Sequence, residues 1–109
     1  MKRQLQQIFD HFGIEAQKMK LIEEMAELTV ELAKPRNERV FKKDEINKAC
    51  DYINKILDEI ADVSVVLDQI IDYYGRDIIN DIRQGKIERT LERINSGYYD
   101  ASQRLEQLT

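Results

Sequence analysis

Cysteine is nearly missing from this chain: Cys50 is the only one among 109 residues. No internal disulfide can form, and a lone thiol fits a reducing, intracellular setting, so a cytoplasmic protein is expected. Proline is as scarce, at one, and glycine is held to four. Little of the chain is set aside for tight turns, and long uninterrupted elements follow. No glycine-rich phosphate loop is present, which excludes a P-loop nucleotide fold. Histidine occurs once, at His11, and a di-iron carboxylate bundle needs two Glu-x-x-His motifs. The N-terminus has no signal-type apolar run, and no apolar stretch approaches the ~20 residues that span a bilayer. The net charge of −4 offers no basic stripe for nucleic acid. Neither a membrane nor a nucleic acid is expected as a partner.

What is present is helical patterning. With 42% hydrophobic and 35% charged residues, the chain has the make-up of one soluble globular domain over residues 1–109. A short amphipathic segment, Lys2 to Phe12, stops at Gly13. A second helix is predicted from Ile14 to Lys34, ending before Pro35, whose ring disfavours helical geometry in the residue ahead of it. Pro35 to Lys43 is charged and aperiodic, so it reads as a loop. A long helix follows from Asp44 to Tyr74, its front part to Asn54 more polar and a candidate for a separate turn or kink. The next covers Arg76 to Ile94, with Gly85 a possible interruption, and Asn95-Ser96-Gly97 ends it. Tyr98 to Thr109 suits a last short helix. No alternation supports a strand. The fold class is all-α, a bundle of four to five helices.

Helix faces single out particular acids. At about 100° per residue, Ile56, Ile60, Val63, Val66, Leu67 and Ile70 share one face of the third helix. Glu59 projects between Val66 and Ile70, inside that arc, and Asp62 sits at its edge; Asp58, Asp68 and Asp72 point toward the polar side. On the second helix, Ile14, Leu21, Ile22, Met25, Ala26, Leu28, Val30 and Leu32 wrap most of the circumference. Lys20, Glu24, Glu27 and Glu31 fill the narrow remainder. So wide an apolar surface exceeds what a small monomer covers, and Val65 lies opposite the main apolar face, so a homo-oligomer is expected.

The pairs Glu24/Glu27 and Glu59/Asp62 each lie on one side of a helix turn, with Cβ atoms about 5–6 Å apart. Carboxylates gathered by helix packing repel and lose hydration unless a cation joins them. Hard oxygen ligands suit Mg²⁺ or Mn²⁺, and those ions point to phosphate chemistry. The competing reading leaves Glu23, Glu24 and Glu27 as a solvated face beside Lys20. Lys86, Arg89 and Arg93 stand at i, i+3 and i+7 on the fourth helix, where they could clamp phosphate oxygens or simply pair with Glu88 and Glu92. His11 and Cys50 read as surface or packing residues, and Tyr73, Tyr74, Tyr98 and Tyr99 as core-finishing rings.

Taken in order, these segments resemble the MazG-like branch of the all-α nucleoside triphosphate pyrophosphohydrolases. The residues that carry the resemblance are Glu23-Glu24-Met25-Ala26-Glu27, then Glu59-Ile60-Ala61-Asp62, then the basic helix from Lys86 to Ile94. The likeness extends from about Gly13 to Ile94. It implies a dimer or a dimer of dimers with active sites at helix interfaces. It also implies Mg²⁺-dependent cleavage of a nucleoside triphosphate to the monophosphate and pyrophosphate, with Mn²⁺ a possible substitute. Carried over by position, Glu24, Glu27, Glu59 and Asp62 are metal ligands, and Glu23 is a further ligand or orients water. Lys86, Arg89 and Arg93 contact phosphate, and Gln17 matches a substrate-side position of the phage-like subgroup. Two departures stand out. The spacer between Glu27 and Glu59 holds 31 residues, longer than in many members, and Thr90 stands where many have Asn.

A metal ion bridging carboxylates and phosphate would overcome the repulsion between the acids and a polyanionic substrate, acidify a water, and need no covalent nucleophile. A non-catalytic helical module that works through its apolar faces is the alternative, and it would leave its acids to solvent.

Overall fold

The computed structural model describes residues 1–35 and 46–100, with side chains throughout except at 46–50. Among these residues the protein is all-α, without a strand. Helix α1 spans Arg3–Ala33, α2 spans Ile46–Tyr74 and α3 spans Arg76–Asn95. The chain divides into two compact units, Met1–Tyr73 and Tyr74–Thr109.

Gly13 breaks α1 into two arms, residues 3–12 and 14–33. Its φ of 83° and ψ of 167° are non-helical, a conformation that a side chain would resist. The stop expected there is a sharp kink inside one element. At the other end Lys34 is already extended, ahead of Pro35, as the ring of proline demands. Helix α2 runs through Asn54 without the expected turn, and α3 runs through Gly85 without interruption. Gly97 closes α3: with φ at 76° its N–H donates to the carbonyl of Ile94 at 3.2 Å. Residues 98–100 resume helical geometry. The expected loop from residue 36 to 43, the start of the third helix at 44 and 45, and the tail from 101 to 109 lie outside the described residues. So does the side chain of Cys50.

In the first unit α1 and α2 form an antiparallel pair. Contacts run Phe9 to Tyr73, with rings 5.6 Å apart, then Gln17 to Gln69, then Glu24 and Glu27 to Glu59. Numbers rise on one helix as they fall on the other. The packed stripe of α1 is Ile14, Gln17, Leu21, Glu24, Leu28 and Glu31, all buried or half-buried. That of α2 is Ile56, Glu59, Val63, Val66 and Ile70, with Gln69 beside it. Both follow alternating steps of three and four, the spacing by which one helix covers a single seam on another.

This seam is narrower than the apolar arcs in the sequence. Ile60 and Leu67, expected inside the arc of α2, are exposed. Ile22, Met25, Val30 and Leu32 of α1 are also exposed. One partner helix covers only one edge of a wide arc. Asp68 and Asp72, expected on the polar side, are half-buried, and Asp72 pairs with the Met1 amine at 3.4 Å. Among the described residues Val66 is the one buried apolar residue. The described helices include none long and apolar enough to cross a membrane.

Candidate metal centre

Glu24 comes to the seam because it lies three residues after Leu21 and four before Leu28, the spacing of the packed stripe. Glu59 comes to it from α2 by the same rule, between Ile56 and Val63. Glu27, one turn beyond Glu24, stands at the rim. One oxygen from each of Glu24, Glu27 and Glu59 lies within 4.8 Å of the others. Glu24 is 5% exposed, Glu59 is half-buried and Glu27 is exposed.

Two oxygens in this group are buried without a hydrogen-bond partner, Glu24 Oε2 and Glu59 Oε2. A buried carboxylate oxygen with no donor is a costly arrangement. The electrostatics carry the same mark. Burial, followed by the charges of Glu27, Asp62, Glu24 and Asp58, raises the pKa of Glu59 above its ordinary 4.5. The charge of Glu24 raises that of Glu27, with burial and a hydrogen bond to Glu24 behind it. Three carboxylates, two of them carrying an orphaned oxygen, form a set that a small divalent cation fits.

Lys20 is the cation that pairs with this group among the described residues. Its ammonium lies 2.9 Å from Glu24 Oε1 and 3.8 Å from Glu23 Oε1. The hydrogen bond to Glu24 and the charges of Glu23 and Glu24 raise its pKa further. Glu23 is exposed and stands outside the trio. Asp62 is exposed too, but it lines a cavity with Glu24 and Lys20. The solvated face weighed above therefore describes Glu23 and Glu27 and fails for Glu24.

The cavity measures about 450 Å³, within the ~300–1,000 Å³ of small-molecule sites. Its apolar wall comes from Ile8, Phe12, Ala16, Val65 and Val66, and its amides from Gln17 and Gln69. The orientation of both amides is fixed by a backbone carbonyl. Gln69 Nε2 donates to Val65 O at 3.0 Å, which leaves Gln69 Oε1 to accept from Gln17 Nε2 at 2.9 Å. Gln69 is fully buried. Sequence reasoning did not single it out, since a glutamine beside an apolar face looks polar. The available signal was that Gln17 and Gln69 both stand on or beside packed stripes.

The basic row lies on α3, in the second unit. Lys86 and Arg89 are exposed, and Arg93 is half-buried with its guanidinium 4.8 Å from the centre of the Tyr98 ring. No ion pair joins Lys86, Arg89 or Arg93 to Glu88 or Glu92 among the described residues. His11 is exposed, edge-on to Phe12. Comparison with protein-family models, with curated proteins and with solved structures returned no match.

Proposed function

We propose that this protein is a Mg²⁺-dependent nucleoside triphosphate pyrophosphohydrolase, forming a nucleoside monophosphate and pyrophosphate. The observation that carries the reading is the pair of buried, unpartnered oxygens of Glu24 and Glu59 within a cluster of three carboxylates. A module that merely docked through its apolar faces would have no reason to bury them. Glu24, Glu27 and Glu59 would hold the ion, with Asp62 completing the set from the cavity side. Bound there, Mg²⁺ supplies positive charge to phosphate oxygens and acidifies water. Mn²⁺ would serve in its place.

The residues of this chain do the rest. Glu23, exposed beside the trio, would orient a water at the rim, and a Glu near that water would act as general base. The cavity takes the organic part of the substrate, its apolar wall against a ring face and the Gln17 amide toward polar edges. The resemblance gives the phosphate contacts to Lys86, Arg89 and Arg93, whose forked and point charges suit phosphate oxygens. A homodimer or a dimer of dimers covers the apolar faces that one chain leaves exposed.

Product analysis tests the reading. Incubation of deoxynucleoside triphosphates with Mg²⁺ should release pyrophosphate and monophosphate, and excess chelator should stop it. Release of inorganic phosphate and a diphosphate would place the cleavage at the wrong bond. Turnover unaffected by chelator would remove the metal from the reaction.

A further inference from the structure

Building on that metal reading, we infer that Lys20 is an exchangeable internal cation: it neutralises Glu24 in the metal-free chain and turns to the substrate's phosphate oxygens once a divalent ion takes the acids. Glu24 and Asp62 line the cavity, Glu27 and Glu59 stand beside Glu24 in the trio, and Glu23 lies 3.8 Å from the Lys20 ammonium. Lys20 is the cation that pairs with any of them among the described residues. It holds one oxygen of Glu24, Oε1, and the other, Oε2, is left buried and unpartnered. The two partners differ in freedom. The Glu24 side chain is 7% exposed and locked in the seam, whereas that of Lys20 is 47% exposed on a flexible stem. When a doubly charged ion arrives, the ammonium is the member able to leave.

Its destination is also on the same surface. Lys20 lines the cavity together with Gln17, Glu24 and Asp62, so a small rotation of its stem keeps the charge beside any ligand held there. Repulsion from the bound ion pushes it away from Glu24, and an anionic ligand attracts it. The same lysine thus opposes a bare metal ion and favours a metal bound with phosphate. A lysine that served only as a surface ion pair would do neither, since such pairs contribute little.

Lys20→Met and Lys20→Arg, with Lys20→Gln as the substitute if the methionine variant does not fold, distinguish these roles. Binding of Mn²⁺ alone, read by the loss of free-ion electron paramagnetic resonance signal, should tighten by about tenfold in Lys20→Met and stay near wild type in Lys20→Arg. Binding of inorganic tripolyphosphate in saturating Mn²⁺, read by calorimetry, should weaken by about tenfold in Lys20→Met, the loss of one charge-assisted contact. Mn²⁺ affinity unchanged or weaker in Lys20→Met overturns the exchange, as does tripolyphosphate affinity that stays level. A wild-type chain that binds no Mn²⁺ fails at the earlier step and overturns the metal centre itself.

Discussion

Glu59 concentrates the chemistry of the site in one side chain. It stands in the packed stripe of α2 with Oε2 buried and unpartnered, and neighbouring acids add to the burial that raises its pKa. Glu59→Gln keeps the shape and removes the charge. Its metal-free melting temperature should be unchanged or higher, because repulsion among the carboxylates is relieved. Mg²⁺ should then stabilise it less than wild type. Pyrophosphate release should fall by at least the ~10–100-fold typical of residues one step farther from a metal. An active variant with a wild-type response to Mg²⁺ would remove the central ligand. The pH dependence has a definite sign. Glu27 and Glu59 both titrate above the ordinary 4.5 in the folded chain, so across that window the native state holds more protons than the unfolded one. Their contribution to metal-free stability is complete below about 4.5 and is lost as pH rises through the raised values. Only ionised carboxylates bind metal, so the Mg²⁺ effect grows over the same range. Melting in chelator should show a steeper decline with pH for wild type than for Glu59→Gln; parallel curves would contradict the shift at Glu59.

At the scale of the element, the seam between α1 and α2 is set by packing geometry and closed by an amide pair. Gln69→Leu should lower stability by about 1–3 kcal/mol, since Gln17 Nε2 loses its buried acceptor. The double variant Gln17→Leu/Gln69→Leu should recover much of that, because replacing both partners by apolar groups of similar shape is close to neutral. Chemical denaturation of the three variants in chelator checks it, and additive losses would mean the pair is not coupled. Much of this element was legible beforehand. Gly13, Pro35 and Gly97 punctuate the chain as their backbone restrictions require, and Glu59 shows in the sequence as an acid inside an apolar arc. Gln69 was not legible, because its burial depends on Gln17 arriving from the other helix. Nor was the exposure of Ile60 and Leu67, because periodicity reports how wide an apolar arc is and not how much of it one neighbour covers. The front of α2 left a separate turn or a kink open for a related reason: a polar stretch offers no apolar period, but helical geometry tolerates a polar turn.

For the whole molecule, the consequence of that narrow seam is exposed apolar surface. On α2 the exposed residues Ile53, Leu57, Ile60 and Leu67 form their own stripe, about 95° around the helix from the one that packs on α1. Helix α3 buries none of its residues, and Ile78, Ile82, Ile87, Leu91 and Ile94 along it are exposed. Each such side chain is worth about 1.5–3 kcal/mol when fully removed from water, and a stripe of this kind marks an association site. The occupant proposed is a second copy, since a symmetric contact offers each stripe the same apolar partner. Light scattering at micromolar concentration should therefore give at least a dimer mass. Leu57→Arg places a charge within the α2 stripe, on the side of the helix roughly opposite Glu59 at about 100° per residue, so the carboxylate trio should stay intact. It should shift the mass toward the monomer and make melting depend less on protein concentration. In a chain that is already monomeric the same change would alter stability by no more than about 0.5 kcal/mol, as at an ordinary surface position. A monomer mass for wild type, with Leu57→Arg indistinguishable from it, would mean that this stripe faces water and that the site is complete within one chain.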